Sequence, residues 1–592
     1  MTIAIGALVT LLYVGFTVWV NVLVGRRRRA HEGPPARVVV VGGGFAGVFT
    51  AAALEETLAE RDDVQVTLVS RENYFAFQPM LPEIISGTIG LIDVVSPLRR
   101  LLPRTTIAVR EVEAIDLERR IVRLAPGLHP HAHETPYDHL VIATGTVTDF
   151  RGLPGLPEHA LPFKSLADAL ELRSRVIHAL EEADIESENS ELRRQLLTFV
   201  VAGGGFSGVE VVAELNDFVR QVARSYPRIN PDEIRVVLVH GTDRILPEVS
   251  PKLGLYAQKL LAARGVELKL SLRLKSCSGD RAVLSDGSVI ETKTLVSTIP
   301  SSPHPLVDAL SVPKERGRIK VDRSLRVAGL ADAQGPGQVW ALGDCALVPT
   351  ASGEPCPPTA QHAIREAHTV AENILRTIDN QRAEGGAPKP LATFDFKGLG
   401  KMGSLGRHNA VAEVFGIKLS GFFAWFLWRT IYLSKLPGWG RRAKVAASWT
   451  FDLFLPPELV QLRLGGTAGA AHERFEPGQT IFSEGDLGDR VYIVLAGRAE
   501  VVRRGNVGDE VLAQVGPGEF FGEMALLGNA VRNATVRCAE ATTVLGIPKR
   551  EFGLLAANLP SLKQSFEDVM RRRVASAQAG HHADKSGPKL PS

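Results

Sequence analysis

Two runs of β-branched residues, each followed by closely spaced glycines, dominate the hydrophobic pattern of this 592-residue chain. The first run, residues 38–41, consists of valines and predicts a buried parallel strand. The Ala-, Leu- and Glu-rich residues 49–58 predict a helix. Between them Gly42, Gly44 and Gly47 have the spacing G-x-G-x-x-G. In a strand–turn–helix setting this spacing brings a helix N-terminus to a pyrophosphate, so the segment is predicted to bind a dinucleotide.

The same pattern returns at residues 199–210, with Gly203, Gly205 and Gly208 in the same spacing. A glycine-rich turn that binds nothing is the alternative for either copy. Two dinucleotide sites in one chain favour two nucleotides that exchange a hydride. FAD and a nicotinamide cofactor are the natural pair.

Three further strands are predicted beside the first glycine motif, at residues 64–69, 137–145 and 339–346. An acidic residue is expected near the end of the second strand of the unit, where it holds the adenosine ribose. Position 70 is Ser, so we assign that role to Glu72. The strand at 339–346 ends in Gly343-Asp344, and an Asp at that place is expected to accept hydrogen bonds from the ribityl hydroxyls of a flavin. A turn aspartate is the alternative.

Residues 2–24 are almost entirely apolar, and Arg26 to Arg29 follow at once. A helix of this length covers the roughly 30 Å of a bilayer core. Because the charge follows the apolar run, the segment differs from a cleaved signal peptide. The positive-inside rule then places the rest of the chain in the cytoplasm, so we predict an inner (cytoplasmic) membrane protein with one N-terminal span. A buried helix is the alternative.

The composition bears on the number of domains and on whether the chain binds nucleic acid, forms disulfides or holds a metal. The length implies several domains, and 45% apolar residues are enough for real cores. A net charge of +3 gives no sign of nucleic-acid binding. The four cysteines lie far apart without a C-x-x-C, which argues against a disulfide framework or a zinc site and fits a reducing compartment. We predict no metal site.

Residues 36 to about 460 resemble type II NADH dehydrogenases, the single-subunit NADH:quinone oxidoreductases. The resemblance is carried by the stretches GGGFAGV, NYFAFQPMLPEI, YDHLVIATG, GGGFSGVEVVAEL, RILPE, WALGDCA and PPTAQHAIREA. It implies an FAD domain split around an inserted NADH domain, and a quinone as electron acceptor. It also implies that Glu210 lies near the nicotinamide, and that Ala360-Gln361 lies beside the flavin ring at the quinone tunnel.

The predicted catalytic residues are therefore Glu210 and Gln361. The predicted FAD contacts are Gly42, Gly44, Ala46, Gly47, Glu72, Gln78, Ala143, Thr144, Gly145, Gly343, Asp344, Ala360 and Gln361, and the predicted NADH contacts are Gly203, Gly205, Ser207, Gly208 and Glu210. Two positions depart from the family pattern. His240 stands where a ribose-binding Glu is usual, so NADPH stays an alternative to NADH. Arg365 stands where the family often has Gln, which leaves the quinone contacts open.

A polar linker at residues 380–391 precedes a segment of different character. Residues 421–433, GFFAWFLWRTIYL, are too few to cross a bilayer and are flanked by Lys and Arg. Trp, Phe and Leu beside basic residues suit a helix that lies in an anionic membrane interface, and the resemblance implies the same. A core helix is the alternative.

Beyond residue 467 short strands with Gly turns are predicted at 480–482, 490–495, 499–503 and 511–515. Residues 521–536, FGEMALLGNAVRNATV, resemble the phosphate-binding cassette of cyclic-nucleotide-binding domains. A helix N-terminus and Arg532 would bind the cyclic phosphate, and Glu523 the ribose 2′-OH. The assigned contacts are Gly522, Glu523, Ala525, Arg532, Ala534 and Thr535. A module that keeps the fold but binds nothing is the alternative.

Asn533 lies where cyclic-GMP binders often carry Thr, so cyclic AMP is favoured as the effector. Residues 552–573 are predicted to form a helical lid over the nucleotide. We expect binding of the nucleotide to move this module against the domain that precedes it, and we expect the movement at residues 464–469.

The predicted fold class is α/β with two Rossmann-like dinucleotide domains, an N-terminal transmembrane helix and a C-terminal α+β cyclic-nucleotide-binding β-roll. The domain bounds are 1–29 span and basic flank, 36–165 FAD domain first part, 166–300 NAD(P)H domain, 301–380 FAD domain second part, 392–463 membrane-associating region, 472–575 cyclic-nucleotide domain and 576–592 disordered tail. The predicted partners are membrane lipid, quinone and a cyclic nucleotide, with a homodimer left open.

The predicted function is electron transfer from NADH to a membrane quinone without proton pumping, regulated by the cyclic nucleotide. One alternative is a sulfide:quinone oxidoreductase-like flavoprotein, which would use a redox-active pair such as Cys345 and Cys356. The other is a non-catalytic membrane sensor of cyclic nucleotides.

Overall fold

The structure is a computed structural model that describes residues 33–58, 61–127, 133–150, 152–299, 302–330, 338–383, 387–452, 454–455, 458–461, 471–486, 488, 490–505, 508–522 and 531–548. Several predictions lie outside these residues: the span at 1–29, the linker at 464–469, Glu523, Ala525, the lid at 552–573 and the tail at 576–592. Among the described residues, no helix is long and apolar enough to cross a membrane.

The helices are α1 Phe45–Leu58, α2 Pro82–Ser86, α3 Leu98–Leu101, α4 Leu156–His159, α5 Leu166–Ile185, α6 Ser190–Leu196, α7 Phe206–Val222, α8 Pro251–Ala263, α9 Pro305–Asp308, α10 Ala360–Arg382, α11 Phe422–Lys435 and α12 Trp439–Phe451. Short 3₁₀ turns cover Gln78–Met80, Ala223–Ser225, Pro231–Glu233 and Gly343–Cys345. The strands are β1 Ala36–Val41, β2 Val64–Ser70, β3 Tyr74–Ala76, β4 Val95–Pro97, β5 Thr106–Val109, β6 Val112–Asp116, β7 Ile121–Leu124, β8 His133–Pro136, β9 His139–Ile142, β10 Thr146–Val147, β11 Ala160–Pro162, β12 Thr198–Ala202, β13 Arg235–Val239, β14 Val266–Lys269, β15 Leu274–Ser278, β16 Arg281–Leu284, β17 Val289–Glu291, β18 Thr294–Ser297, β19 Ser302–Pro303, β20 Lys314–Glu315, β21 Arg318–Lys320, β22 Gln338–Ala341, β23 Ala346–Leu347, β24 Gly400–Ser404, β25 Ala410–Val414, β26 Ile417–Gly421, β27 Ala471–Phe475, β28 Thr480–Phe482, β29 Arg490–Ala496, β30 Ala499–Gly505, β31 Gly508–Val515, β32 Phe520–Phe521, β33 Thr535–Cys538 and β34 Thr542–Pro548.

Each glycine motif follows the central strand of a five-stranded parallel sheet. The orders are β22-β9-β1-β2-β5 and β11-β18-β12-β13-β14. The valines of β1 are at most 3% exposed, as expected for a strand with both faces covered. The predicted Rossmann-type architecture is therefore present twice.

The two sheets also share an element that the hydrophobic pattern did not reveal. A three-stranded antiparallel sheet, β6-β7-β8 in one unit and β15-β16-β17 in the other, precedes the strand that pairs beside the glycine strand. The burial of β6 and β8 does not alternate cleanly, so their sequences give little period-2 signal.

Two compact units divide the chain. Of the described residues, the first unit contains Gly33–Asp149, Lys164–Leu166 and those between 302 and 455. The second contains the described residues of Phe150–Phe163 and Ala167–Ile299 and those between 458 and 548. The amphipathic stretch at 392–455 thus packs within the first unit, and the C-terminal β-roll packs within the second.

A buried carboxylate, that of Glu83 on α2, connects α11 and α12 to the glycine-motif part of the first unit. Trp449 Nε1 on α12 donates to Glu83 Oε2 at 2.9 Å, and Arg429 Nη2 on α11 lies 3.5 Å from Glu83 Oε1. The Arg429 guanidinium also lies 4.2 Å from the ring centroid of Trp425 and 4.5 Å from that of Trp449. Burial raises the pKa of Glu83, and the Arg429 charge opposes that shift. This contact fixes one face of α11 against the protein.

The C-terminal module is a β-roll of two four-stranded sheets, β27-β34-β29-β32 and β28-β33-β30-β31. Its first described strand, β27, begins at Ala471, one residue before the predicted domain bound of 472, and pairs with β34 from the far end of the module. Valines and aromatic rings form its core, in which Tyr492 stacks on Phe521 at a centroid distance of 5.3 Å.

Candidate functional site

The first glycine turn has the close approaches that its spacing predicts. Gly42 has φ +121°, and a Cβ there would overlap the carbonyl of Ala143 after β9. A Cβ on Gly47 would overlap the Gly42 carbonyl. Helix α1 begins at Phe45, four residues earlier than predicted, so Gly47 lies in its first turn and brings it onto the strand. By contrast, a Cβ on Gly44 would have no protein atom within 4 Å.

The second turn repeats this geometry. Gly203 has φ +117°, and Cβ atoms on Gly203 and Gly208 would both overlap Thr298, which follows β18. A Cβ on Gly205 would lie 3.1 Å from Glu248 Oε1, the end of a flexible side chain. A pyrophosphate needs space next to the second glycine of each turn. No backbone atom occupies that space at Gly44 or at Gly205, so the residues present fit two dinucleotides.

Side chains after the second turn lie on α7. Ser207 is in its first turn, and Glu210 is 9% exposed. His240 follows β13, and its Nδ1 accepts from the Gly204 N–H at 3.0 Å, with Nε2 2.9 Å from the Thr242 hydroxyl. Burial lowers the pKa of His240. The imidazole therefore buttresses the glycine turn itself, a contact that the sequence did not indicate.

A group of acidic and basic side chains lies after strands β9 and β22, on the same unit as the first turn. Gly343 has φ +72°, and its N–H donates to Glu366 Oε2 at 2.7 Å. Burial raises the pKa of Glu366 to about 7. Burial also raises the pKa of Asp344, and the charges of Lys164 and Arg318 oppose that shift. Glu366 and Lys164 were missed by the sequence analysis.

The ammonium of Lys164 interacts with the charge of Asp344, so Lys164 is part of this group. Its Nζ donates to Thr146 Oγ1 at 2.5 Å, next to the predicted Ala143-Thr144-Gly145 turn. Gln78 Nε2 donates to the Lys164 carbonyl at 3.4 Å. Burial lowers the pKa of Lys164, and the Asp344 charge opposes that effect. Nothing in the residues around Lys164 signals this placement, because its partners come from distant parts of the chain.

Glu72 lies apart from this group. It is exposed, with its side chain 47% accessible, and it pairs with Arg71 at 3.3 Å. Ser70, which ends β2, is the residue that faces the glycine turn, since a Cβ on Gly43 would overlap its hydroxyl. Ala46, in contrast, is buried at the start of α1, and its Cβ lies 3.0 Å from the place of a Cβ on Gly343.

Gln361 is held by backbone groups at the first turn of α10. Its Nε2 donates to the Gly400 carbonyl at 3.2 Å, and its Oε1 accepts from the Leu399 N–H at 3.1 Å. Arg365 donates to the Gln361 carbonyl at 2.9 Å and lies 4.0 Å from the Phe396 ring centroid. Ala360 is the first residue of this helix. Beside it a small cleft is lined by residues that include Gly343, Thr359, His362 and Glu366.

Comparisons with known proteins identify the family of this chain. The family model "Pyridine nucleotide-disulphide oxidoreductase" matches residues 36–367, and the model "NDH2 C-terminal domain" matches residues 399–455. The type II NADH:quinone oxidoreductase Ndh of Mycobacterium tuberculosis is 32% identical over 75% of this chain and 94% of its own length. The chain belongs to the type II NADH:quinone oxidoreductase family.

A second relative and a solved structure are also similar to this type II NADH:quinone oxidoreductase. The internal alternative NAD(P)H-ubiquinone oxidoreductase A1 of Solanum tuberosum is 30% identical over 70% of this chain and 86% of its own length. The solved structure of NDH2 from Plasmodium falciparum in complex with NADH has a TM-score of 0.65, 19% identity, and coverage of 72% of this chain and 99% of that one. At that identity the solved structure supports the fold.

The cysteines of the oxidoreductase do not have the properties of a redox pair. Cys277, Cys345, Cys356 and Cys538 are all free and buried. Burial raises the pKa of Cys345 and of Cys356 to about 11, so both are protonated at neutral pH. A thiol is a far weaker nucleophile than a thiolate, which disfavours the alternative of sulfide chemistry.

The C-terminal module of this oxidoreductase matches the family model "Cyclic nucleotide-binding domain" over residues 472–558. Arg532 is 3% exposed and lies 4.0 Å from the Phe482 ring centroid. It donates to the Gly522 carbonyl at 2.8 Å and to the Arg490 carbonyl at 2.9 Å. Thr535 Oγ1 accepts from the Glu484 N–H at 2.9 Å, and Ala534 precedes it. The structure therefore brings Gly522, Arg532 and Thr535 into one part of the roll.

Proposed function

We propose that this protein transfers electrons from NADH to a membrane quinone through FAD, without proton pumping, and that a cyclic nucleotide regulates it. The observation that carries the oxidoreductase assignment is the pair of glycine turns with matching backbone geometry, Gly42 at φ +121° and Gly203 at φ +117°. FAD, when bound, accepts a hydride from NADH and passes two electrons on to the quinone.

The residues of the chain would bind and orient FAD, NADH and the quinone. The turn at Gly42–Gly47 would hold the FAD pyrophosphate, and the Asp344 carboxylate would accept hydrogen bonds from the ribityl chain. The turn at Gly203–Gly208 would hold NADH, with Glu210 at the nicotinamide. Gln361, fixed through both ends of its amide, would orient the quinone. Glu366, whose pKa burial brings to about 7, would hold or release a proton close to neutral pH.

The direct test is oxidation of NADH and of NADPH by the purified protein with a soluble quinone. We expect quinone-dependent NADH oxidation and bleaching of the flavin by NADH under anaerobic conditions. The same assay with and without cyclic AMP tests regulation separately. A flavoprotein that NADH does not bleach would contradict the assignment.

We expect Glu366→Gln to stabilise the first unit at pH 8 and to leave its stability unchanged at low pH. The folded-state pKa is raised to about 7, so the folded protein holds a proton that the unfolded chain releases. The contribution of Glu366 to stability is therefore full below the unfolded pKa of about 4.5 and is lost as the pH rises through 7, by at most about 3.5 kcal/mol. Glutamine keeps an oxygen that can accept from the Gly343 N–H.

The measurement is urea unfolding of wild type and variant between pH 5 and 8. The tryptophans that the structure describes all belong to the first unit, so their fluorescence reports on it: Trp340, Trp425, Trp428, Trp439 and Trp449. Glu372→Gln, an exposed position on the same helix, is the control. A constant stability difference between wild type and Glu366→Gln across this range would contradict the raised pKa.

Membrane association is proposed through α11 and α12 in addition to the N-terminal segment. Phe423 is 78% exposed, Phe426 60% and Trp439 81%, whereas Ala424, Trp425 and Trp428 of α11 face the protein. Lys435 on α11 and Lys444 on α12 are also exposed. Exposed aromatic rings and lysines on the same helices are typical of interfacial helices that bind anionic lipid.

Deleting residues 1–29 is expected to leave a protein that sediments with anionic vesicles at low salt and is released at high salt, because the lysine attraction is screened. Adding Phe423→Glu and Phe426→Glu is expected to abolish sedimentation at low salt. Leu255→Glu, at an apolar position of the second unit that is 50% exposed, is the control. A truncated protein that stays in solution with vesicles at low salt would contradict the interfacial helix.

A further inference from the structure

The β-roll contacts the rest of the second unit through a surface that we call the seat. It is formed by β27 and Gln479 on one side and by α4, β15 and Asp280 on the other. Strand β27 packs against helix α4 and strand β15, which belong to the part of the chain that carries the second glycine turn. The Arg474 N–H on β27 donates to His159 Nε2 on α4 at 3.0 Å. Gln479 Nε2 donates to Asp280 Oδ1 at 2.9 Å and to Ser278 Oγ at 3.2 Å. These are directional contacts, so they fix the position of β27.

Within the β-roll, hydrogen bonds connect the seat to Arg532, the residue that is predicted to bind the phosphate. Arg532 donates to the Arg490 carbonyl at 2.9 Å, and Arg490 Nη1 donates to Glu473 Oε1 at 2.7 Å. Glu473 precedes Arg474 on β27. An anion bound at Arg532 would compete with the Arg490 and Gly522 carbonyls for the guanidinium. The bound and unbound states would therefore hold β27 differently.

On the other side, β15 leads from the seat to the second glycine turn. The Leu272 N–H donates to the His240 carbonyl at 3.0 Å, and the chain then runs directly into β15 and Ser278. The imidazole of His240 in turn accepts from the Gly204 N–H at 3.0 Å. A displacement of β15 therefore acts on the backbone that would hold NADH. Gln361 and Glu366 belong to the other unit.

We propose that the seat of β27 on α4 and β15 couples the two ligands, so that a cyclic nucleotide at Arg532 changes the affinity for the nicotinamide dinucleotide and leaves the affinity for quinone unchanged. The proposal rests on the function proposed above and adds which substrate is regulated. Coupling of two binding sites is reciprocal, so NAD⁺ must change the affinity for cyclic AMP by the same factor.

The test uses the full-length flavoprotein. Calorimetry gives the cyclic AMP Kd with and without saturating NAD⁺, and steady-state assays give the KM for NADH and for a soluble quinone with and without cyclic AMP. We expect saturating NAD⁺ to change the cyclic AMP Kd by about fivefold or more, within the usual range of coupling between sites, and cyclic AMP to change the NADH KM. The quinone KM stays constant.

Gln479→Glu tests the seat, because it replaces the amide donor with a carboxylate that faces Asp280. Its remaining oxygen still accepts from the Glu476 N–H, a bond of 2.7 Å in the structure. Gln514→Glu is the matched control, since the Gln514 amide donates to Glu500 Oε1 at 3.3 Å in the same β-roll, away from the seat. We expect coupling to vanish in Gln479→Glu and to persist in Gln514→Glu. Bound flavin and cyclic AMP binding verify that each variant is folded, and His159→Phe is a second variant at the seat.

Three results would overturn the proposal. A cyclic AMP Kd that saturating NAD⁺ leaves unchanged would reject it and leave the oxidoreductase and the nucleotide site standing. Coupling that Gln479→Glu and His159→Phe both retain would reject the seat as its route. Absence of any cyclic-nucleotide binding by the folded full-length protein would reject it together with the proposed regulation, while NADH oxidation would still stand on its own assay.

Discussion

Gly44→Val is expected to give folded protein that lacks bound flavin and has lost NADH oxidation by about 10²-fold or more. The second glycine of the turn must leave room for a pyrophosphate. A Cβ on Gly44 would meet no protein atom within 4 Å, and its φ is not in the left-handed region, so the side chain would project into space that the protein leaves open. The loss should therefore reflect exclusion of the ligand with the fold retained. Flavin absorbance per protein, together with circular dichroism, measures this.

The chain provides a matched control at the corresponding position of the second turn. A Cβ on Gly205 would meet the end of the Glu248 side chain at 3.1 Å, which can move aside. Gly205→Val is expected to keep its flavin and to lose bleaching by NADH. Stoichiometric flavin in Gly44→Val, or loss of flavin in both variants, would contradict the assignment of one dinucleotide to each turn.

Arg532→Ala is expected to weaken cyclic AMP binding by about thirtyfold or more. Removing one partner of a buried charge pair costs roughly 2–5 kcal/mol, and about 1.4 kcal/mol corresponds to a tenfold change in affinity. Arg532 is 3% exposed and stacks on Phe482, so a phosphate that reached it would be shielded from water. Calorimetry on the full-length protein with cyclic AMP and cyclic GMP is the measurement.

Arg532 also has a structural role that the experiment must separate. Its alanine variant leaves the Gly522 and Arg490 carbonyls without this donor, which lowers the stability of the roll as well. Arg532→Lys keeps the charge but loses the planar, forked donor set, and we expect an intermediate affinity. Arg537→Ala is the control, because Arg537 lies five residues further on and pairs with Glu500 at 3.4 Å. Wild-type affinity in Arg532→Ala would remove Arg532 from the nucleotide site.

The sequence determined the parts of this protein that depend on neighbouring residues. A run of valines followed by G-x-G-x-x-G predicted β1 and the turn after it, and the same pattern predicted β12. The strand at Thr480–Phe482 was predicted with its bounds. These features have a local cause: β-branched residues favour strands, and only glycine fits the positive φ and close approach at Gly42 and Gly203.

The tertiary structure decided what depends on residues far apart in the chain. Glu83, Lys164 and Glu366 have ordinary sequence surroundings, and their partners Arg429, Thr146 and Gly343 lie on other elements. Burial among such distant elements shifts the pKa of each of the three side chains. The same holds for β27, whose hydrogen bonds with His159 and its pairing with β34 cross long stretches of chain. Desolvation and such contacts are properties of a three-dimensional neighbourhood, which periodicity along one strand or helix does not encode.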